Sequence, residues 1–148
     1  MNPLRRNHRH NEVNIRLSRG HAMKDANHIL LVENEIIIAI AEKKDLEELG
    51  YSVTLCPTGE QSVRHANECR SIQYVLMDVN LGKGIDGIEA AKRILKIRNI
   101  PIVFFSSCPE SVIAERMGSF CYAGCVSKSS GAAGIDKTIR SINENNIQ

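Results

Sequence analysis

The chain predicts an α/β domain with a doubly wound, five-stranded parallel sheet. Three observations carry this. Five short apolar runs of strand length recur along residues 28–127. Each is followed by a segment with helical spacing, so strand and helix alternate strictly. The runs are continuously apolar rather than alternating, as expected of strands buried on both faces, which is the condition of a parallel sheet between two helix layers.

The elements follow in order. Ile29-Leu30-Leu31-Val32 is the first strand. Glu35 to Leu49 carries Ile36, Ile37, Ala39, Ile40, Leu46 and Leu49 at helical spacing, with Gly50 as its stop signal. Ser52 to Leu55 is the second strand. Thr58 caps a helix reaching about Cys69, with Glu60 and Gln61 in its first turn. Tyr74 to Asp78 is the third strand, and Ile88 to Arg98 a helix with Ile88, Ala91, Ile94 and Leu95 inward. Pro101 opens a fourth strand, Ile102 to Phe105, and Pro109 a short helix to about Met117. Gly124 to Ser127 is the fifth strand. A last helix runs from about Ala132 to Asn143, with Ile135, Ile139 and Ile142 toward the sheet. Strict alternation with right-handed crossovers makes the flavodoxin-like strand order, 2-1-3-4-5, the expected one.

Composition narrows the function. At 148 residues the chain holds one domain with a full core, and it contains no tryptophan, so that core is aliphatic. No apolar stretch is long enough to span a bilayer, and no apolar segment follows the basic N-terminus as in a secretory signal. Five cysteines with no CxxC spacing read as reduced thiols in a cytoplasmic protein, without a structural zinc site. The net charge of +2 is unevenly spread. Residues 1–26 form a basic, polar extension, in which residues 1–24 set Arg5, Arg6, Arg9, Arg16, Arg19 and Lys24 against Glu12. This arm lacks interleaved aromatics and a reading helix. A solvated linker is expected, nucleic-acid binding being the other reading.

The chemistry converges at strand ends, where open α/β sheets place their sites. Asp78 closes the third run, Glu33, Asn34 and Glu35 follow the first, Ser106 and Ser107 the fourth, and Lys128 the fifth. Carboxylates beside the switch point suit a hard cation such as Mg²⁺. An aspartate there can be phosphorylated as a nucleophile, with Ser106 and Lys128 hydrogen-bonding the phosphoryl oxygens. Gly82 and Gly84 serve turn geometry, no Walker-type lysine and serine following them. His65 reads as a solvated helix residue. A flavin carrier would need a hydroxyl- and glycine-rich phosphate loop where Glu33-Asn34-Glu35 stands.

Five stretches in this order resemble the response-regulator receiver domain of two-component signalling. They are His28–Glu35, Val75–Asn80, Asp86-Gly87, Pro101–Ser107 and Gly124–Lys128. The resemblance covers about residues 27–145, and the receiver domain is expected over 27–148. It implies Asp78 as phosphoacceptor, Ser106 as switch hydroxyl, Lys128 as the site lysine, and Mg²⁺ held by Glu33, Asn34, Asp78 and the backbone carbonyl of Asn80. It also implies a histidine kinase or phosphotransfer protein as donor, slow self-dephosphorylation, and an output partner on the helix 4, strand 5, helix 5 face, where a homodimer is another use. The Leu81–Gly87 loop is like that of receivers attached to sensory kinases and PAS modules.

Three departures stand out. Asn34 occupies a position that is normally a second acid, which implies weaker Mg²⁺ binding and slower phosphorylation. Glu35 is not expected to turn inward and compensate. Cys125 stands where an aromatic often couples to the switch hydroxyl. Ser129 follows Lys128 where a cis proline is usual, so a trans or strained bond is expected. The alternative function is a pseudo-receiver, an interaction module of the same fold with impaired metal chemistry.

Overall fold

The computed structural model describes residues 27–147. The basic extension expected over 1–26 lies outside the described residues. Strands β1 (His28–Val32), β2 (Ser52–Cys56), β3 (Ile72–Met77), β4 (Ile102–Ser106) and β5 (Gly124–Ser127) alternate with helices. These are α1 (Ile36–Glu48), α2 (Gly59–Glu68), α3 (Gly87–Ile97), α4 (Glu110–Met117) and α5 (Gly131–Ile147), with a 3-10 turn at Lys128–Ser130 before α5. All pairings are parallel and the order is β2-β1-β3-β4-β5. The α/β doubly wound expectation therefore holds, including the strand order.

The continuous apolar runs are explained by two cores, one on each face. Leu30, Val32, Val75, Met77, Ile102 and Phe104 pack against Ala66 of α2, Ala91 and Ile94 of α3, and Ile113 of α4. The alternate residues Ile29, Leu31, Leu76, Val103 and Phe105 pack against Leu46 of α1 and Ile135 and Ile139 of α5. Successive residues of the central strands thus bury their side chains in alternate layers, as a period of two dictates.

Caps fix where the helices begin. The Thr58 hydroxyl accepts from the Gln61 N–H at 3.1 Å, as the sequence predicts. Asp86 does the same for α3, accepting from the Glu89 N–H at 2.9 Å. Gly50 ends the first helical unit at φ 99°, a conformation favouring glycine.

Helix α1 buries only part of its apolar set. Of the six apolar residues at helical spacing, Ala39 and Leu46 are buried, but Ile36, Ile37, Ile40 and Leu49 are 69%, 83%, 56% and 43% exposed. The reason is geometric. Successive helix residues turn by about 100°, so neighbouring isoleucines cannot share the narrow stripe that Ala39 and Leu46 define. Smaller differences lie at element ends: β3 starts at Ile72 and stops before Asp78, and α5 extends past Asn143. No peptide bond is cis among the described residues, so Lys128–Ser129 is trans, with the Ser127 hydroxyl accepting from the Ser129 N–H.

Candidate functional site

The sheet register brings the site together. Val32 pairs with Met77, Met77 with Phe104, and Ser106 with Ser127. The residues that follow these strand ends are Glu33, Asp78, Ser107 and Lys128. Two backbone bonds lock the first two in place: Asp78 N–H to the Val32 carbonyl at 3.1 Å and Glu33 N–H to the Cys56 carbonyl at 3.0 Å.

Lys128 closes the cluster. Its Nζ donates to Glu33 Oε2 and to Asp78 Oδ2, each at 2.8 Å. Glu33 and Asp78 are buried, so this is one ammonium between two largely desolvated carboxylates. Burial raises the Glu33 carboxyl above its ordinary range; Lys128 opposes this, and the adjacent Asp78 pushes it further up. For Lys128, burial acts downward, but the bonds to Asp78 and Glu33 outweigh it and hold the ammonium above its ordinary value.

The remaining expected site residues are placed less tightly. Ser106 is buried at the end of β4, and its hydroxyl accepts from the Cys108 N–H at 3.1 Å, a bond within its own loop. Asn34 is exposed at the rim. Its amide lies against Gly82, where an added Cβ would sit 2.9 Å from Asn34 Nδ2. Asn80 is exposed, and its Oδ1 accepts from the Gly82 N–H at 3.3 Å. Glu35 is exposed, and only its N–H turns back, to Glu33 Oε1 at 3.2 Å. Cys125 is half-buried beside Tyr122, whose ring stands edge-on to Phe104 with centroids 5.5 Å apart.

Among the described residues no group of three or more His, Cys, Asp or Glu side chains could hold a metal. The anionic donors are Glu33 and Asp78, which leaves amide and carbonyl oxygens to complete a coordination shell. Two buried carboxylates that crowd one another nonetheless fit a hard cation, because added positive charge relieves the repulsion that raises Glu33.

Sequence reasoning missed two features. Gly87 is needed for close approach: a Cβ there would lie 1.9 Å from the Asp78 carbonyl oxygen, and the Gly87 N–H donates to Val79 O at 2.8 Å. The Asp-Gly pair at 86–87 was the available signal. Glu42 of α1 carries a buried Oε2 with no hydrogen-bond partner. Burial raises its carboxyl, as does Asp45, while Lys128 opposes the shift. No sequence pattern marks that approach.

Residues 29–140 match the family model described as the response regulator receiver domain, and the chain belongs to that family. It is 31% identical over 86 residues to the phyllosphere-induced regulator PhyR of Methylorubrum extorquens, a match covering 57% of this chain and 32% of that protein. It is 31% identical over 90 residues to the transcriptional regulatory protein CseB of Streptomyces coelicolor, covering 61% of this chain and 38% of that one. The chain thus spans about a third of the curated relatives it matches. Among solved structures, the N-terminal domain of a response regulator/sensory box/GGDEF 3-domain protein from Carboxydothermus hydrogenoformans superimposes with a TM-score of 0.73 at 29% identity, covering 82% of this chain and all of that one. Receiver domains of this family accept phosphoryl groups, bind Mg²⁺ at the phosphorylation site and work with histidine kinases and output domains. No helix among the described residues is long and apolar enough to cross a membrane.

Proposed function

We propose that this chain accepts a phosphoryl group on Asp78 from a histidine kinase or phosphotransfer protein and thereby switches a partner-binding surface. The observation that carries this is Lys128 Nζ held 2.8 Å from both Asp78 and Glu33. An Asp78 oxygen attacks phosphorus and forms the new P–O bond. The bond from phosphorus to the donor imidazole breaks, and the imidazole leaves with the electron pair. Lys128 keeps the nucleophile oriented and then pairs with the added phosphoryl charge. The Ser106 hydroxyl, at the neighbouring strand end, donates to a phosphoryl oxygen once its loop rearranges. Glu33, Asn34, Asp78 and the Asn80 carbonyl would hold Mg²⁺, which when bound offsets the negative charge of the phosphoryl group and the carboxylates.

The donor docks beside the acid cluster, where exposed Ile36, Ile37 and Ile40 form an apolar rim one turn from Glu35. The output partner, or a second copy of the chain, uses the α4, β5, α5 face. The domain works in the cytoplasm, consistent with five free thiols.

The pseudo-receiver reading draws on one observation, the neutral and exposed Asn34 at the metal rim. Incubation with Mg²⁺ and acetyl phosphate, read by intact mass, separates the two. One added phosphoryl group that vanishes in Asp78→Ala supports phosphoacceptance. No gain in wild type but a gain in Asn34→Asp means that Asn34 has disabled the site.

A further inference from the structure

Lys83 sits at the tip of the β3–α3 loop between two glycines of left-handed conformation, Gly82 at φ 74° and Gly84 at φ 84°. Both sides of the loop are fixed. At Gly82 the backbone lies against the Asn34 amide, and at Gly84 an added Cβ would come within 2.4 Å of Glu60 Oε1. That same Glu60 oxygen accepts from the Ile85 N–H at 2.8 Å. The loop therefore has little freedom to swing away from the rim of the acid cluster, and Lys83 is carried beside Asn34.

The charge inventory at this edge is sparse. The loops that follow the five strands, residues 33–35, 57–58, 78–86, 107–109 and 128–130, contain two cations, Lys83 and Lys128. Lys128 is committed to Glu33 and Asp78. Lys83 is exposed and makes no ion pair among the described residues. Its neighbour across Gly82 is a neutral amide. Glu60, whose carboxylate lies against Gly84, accepts from the Ile85 N–H and makes no ion pair with Lys83, and Asp86 of the same loop pairs with Arg116.

We propose that Lys83 is a recognition residue for the anionic phosphoryl donor, drawing the phosphate-bearing group to the mouth of the site before transfer to Asp78. This rests on the reading of Asp78 as phosphoacceptor. Neutral Asn34 is part of the arrangement, because it places an uncharged amide rather than a carboxylate beside the loop.

The test uses the full chain with saturating Mg²⁺ and two small donors, dianionic acetyl phosphate and monoanionic phosphoramidate. In each case a P–O bond to Asp78 forms as the donor bond to phosphorus breaks, releasing acetate or ammonia. One charge pair near 4 Å in water changes affinity by about fivefold. Lys83→Ala is expected to lower the second-order rate constant for acetyl phosphate by about that factor, and that for phosphoramidate by less. Lys83→Arg restores the rate, and the difference shrinks at high salt, where the charge is screened. An unchanged rate in Lys83→Ala, or an equal fall with both donors, overturns the assignment. Binding is read separately from the amide shifts of Gly82 and Gly84 as acetyl phosphate is titrated. Shifts that weaken in Lys83→Ala without any gain in mass would uphold the anion site while sinking phosphoacceptance by Asp78. Wild-type shifts that are absent, or unaltered by the substitution, would overturn the anion site itself.

Discussion

Lys128 is one cation serving two buried carboxylates, and this imbalance governs what substitutions do. Removing it leaves Glu33 and Asp78 unpaired at close quarters. Breaking a buried pair from one side costs about 3–5 kcal/mol; the partial exposure of Lys128 reduces this, and Lys128→Met should lose about 2–4 kcal/mol in urea denaturation. Millimolar Mg²⁺ should recover part of the loss, since it supplies the missing charge. Asp78→Asn should behave oppositely, leaving a one-to-one Lys128–Glu33 pair and costing under about 1 kcal/mol. A second prediction concerns Asn34. An aspartate there adds a third anionic donor beside Glu33 and Asp78, and Asn34→Asp should tighten Mg²⁺ binding by about tenfold, which is about 1.4 kcal/mol. Calorimetric titration of both proteins checks it, and equal affinities would refute it. At this scale the sequence was informative because each site residue closes a strand, and parallel register brings such ends together. It could not show that Ser106 bonds to its own loop, or that Glu42 approaches Lys128 from α1, since both depend on side-chain packing.

Helix α1 shows where pattern reading stops. The strands were legible because a continuous apolar run has a single outcome in a parallel sheet: every side chain is buried on one face or the other. An isoleucine-rich helix is ambiguous, because several stripes at helical spacing fit one sequence. The stripe chosen by packing contains Ala39 and Leu46, so Ile36, Ile37 and Ile40 are left at the rim of the site. If that rim docks the protein donor, Ile37→Glu should change stability by no more than about 0.5 kcal/mol, being 83% exposed. It should leave phosphorylation by acetyl phosphate unchanged while slowing transfer from a cognate histidine kinase. Equal rates from the kinase in both proteins would remove α1 from the docking surface. The β3–α3 connection gives a contrasting element-scale case. Gly87 packs on the Asp78 carbonyl, and Gly87→Ala should destabilise by about 2–3 kcal/mol through overpacking. Because the displaced backbone belongs to Asp78, phosphorylation should slow as well, a joint loss that denaturation and mass measurements would detect together.

For the molecule as a whole, both apolar layers depend on the sheet holding its register, and the amino-terminal edge is tied by one side chain. His28 begins β1 and reaches both neighbouring strands: Nε2 lies 2.7 Å from Thr54 Oγ1 of β2, and Nδ1 2.9 Å from Ser71 Oγ just before β3. Burial lowers its pKa from the ordinary value of 6.5, so the folded protein favours the neutral ring. The sign follows from proton counting. Above pH 6.5 the ring is neutral in both states and its contribution to stability is fully present. As pH falls below that point the unfolded chain takes up the proton first, so stability is lost progressively down to the folded-state pKa. The raised carboxyls of Glu33 and Glu42 act in the opposite direction, because the folded state then binds their protons more readily as pH falls. Wild type must therefore be compared with a variant that keeps the polar contacts and cannot titrate. His28→Gln serves, since its amide can both donate and accept. Urea midpoints measured from about pH 7.5 down to about pH 5 should fall more steeply in wild type than in His28→Gln. Parallel curves would show that His28 does not couple strand pairing to protonation, and the acid sensitivity of the fold would have to come from other groups.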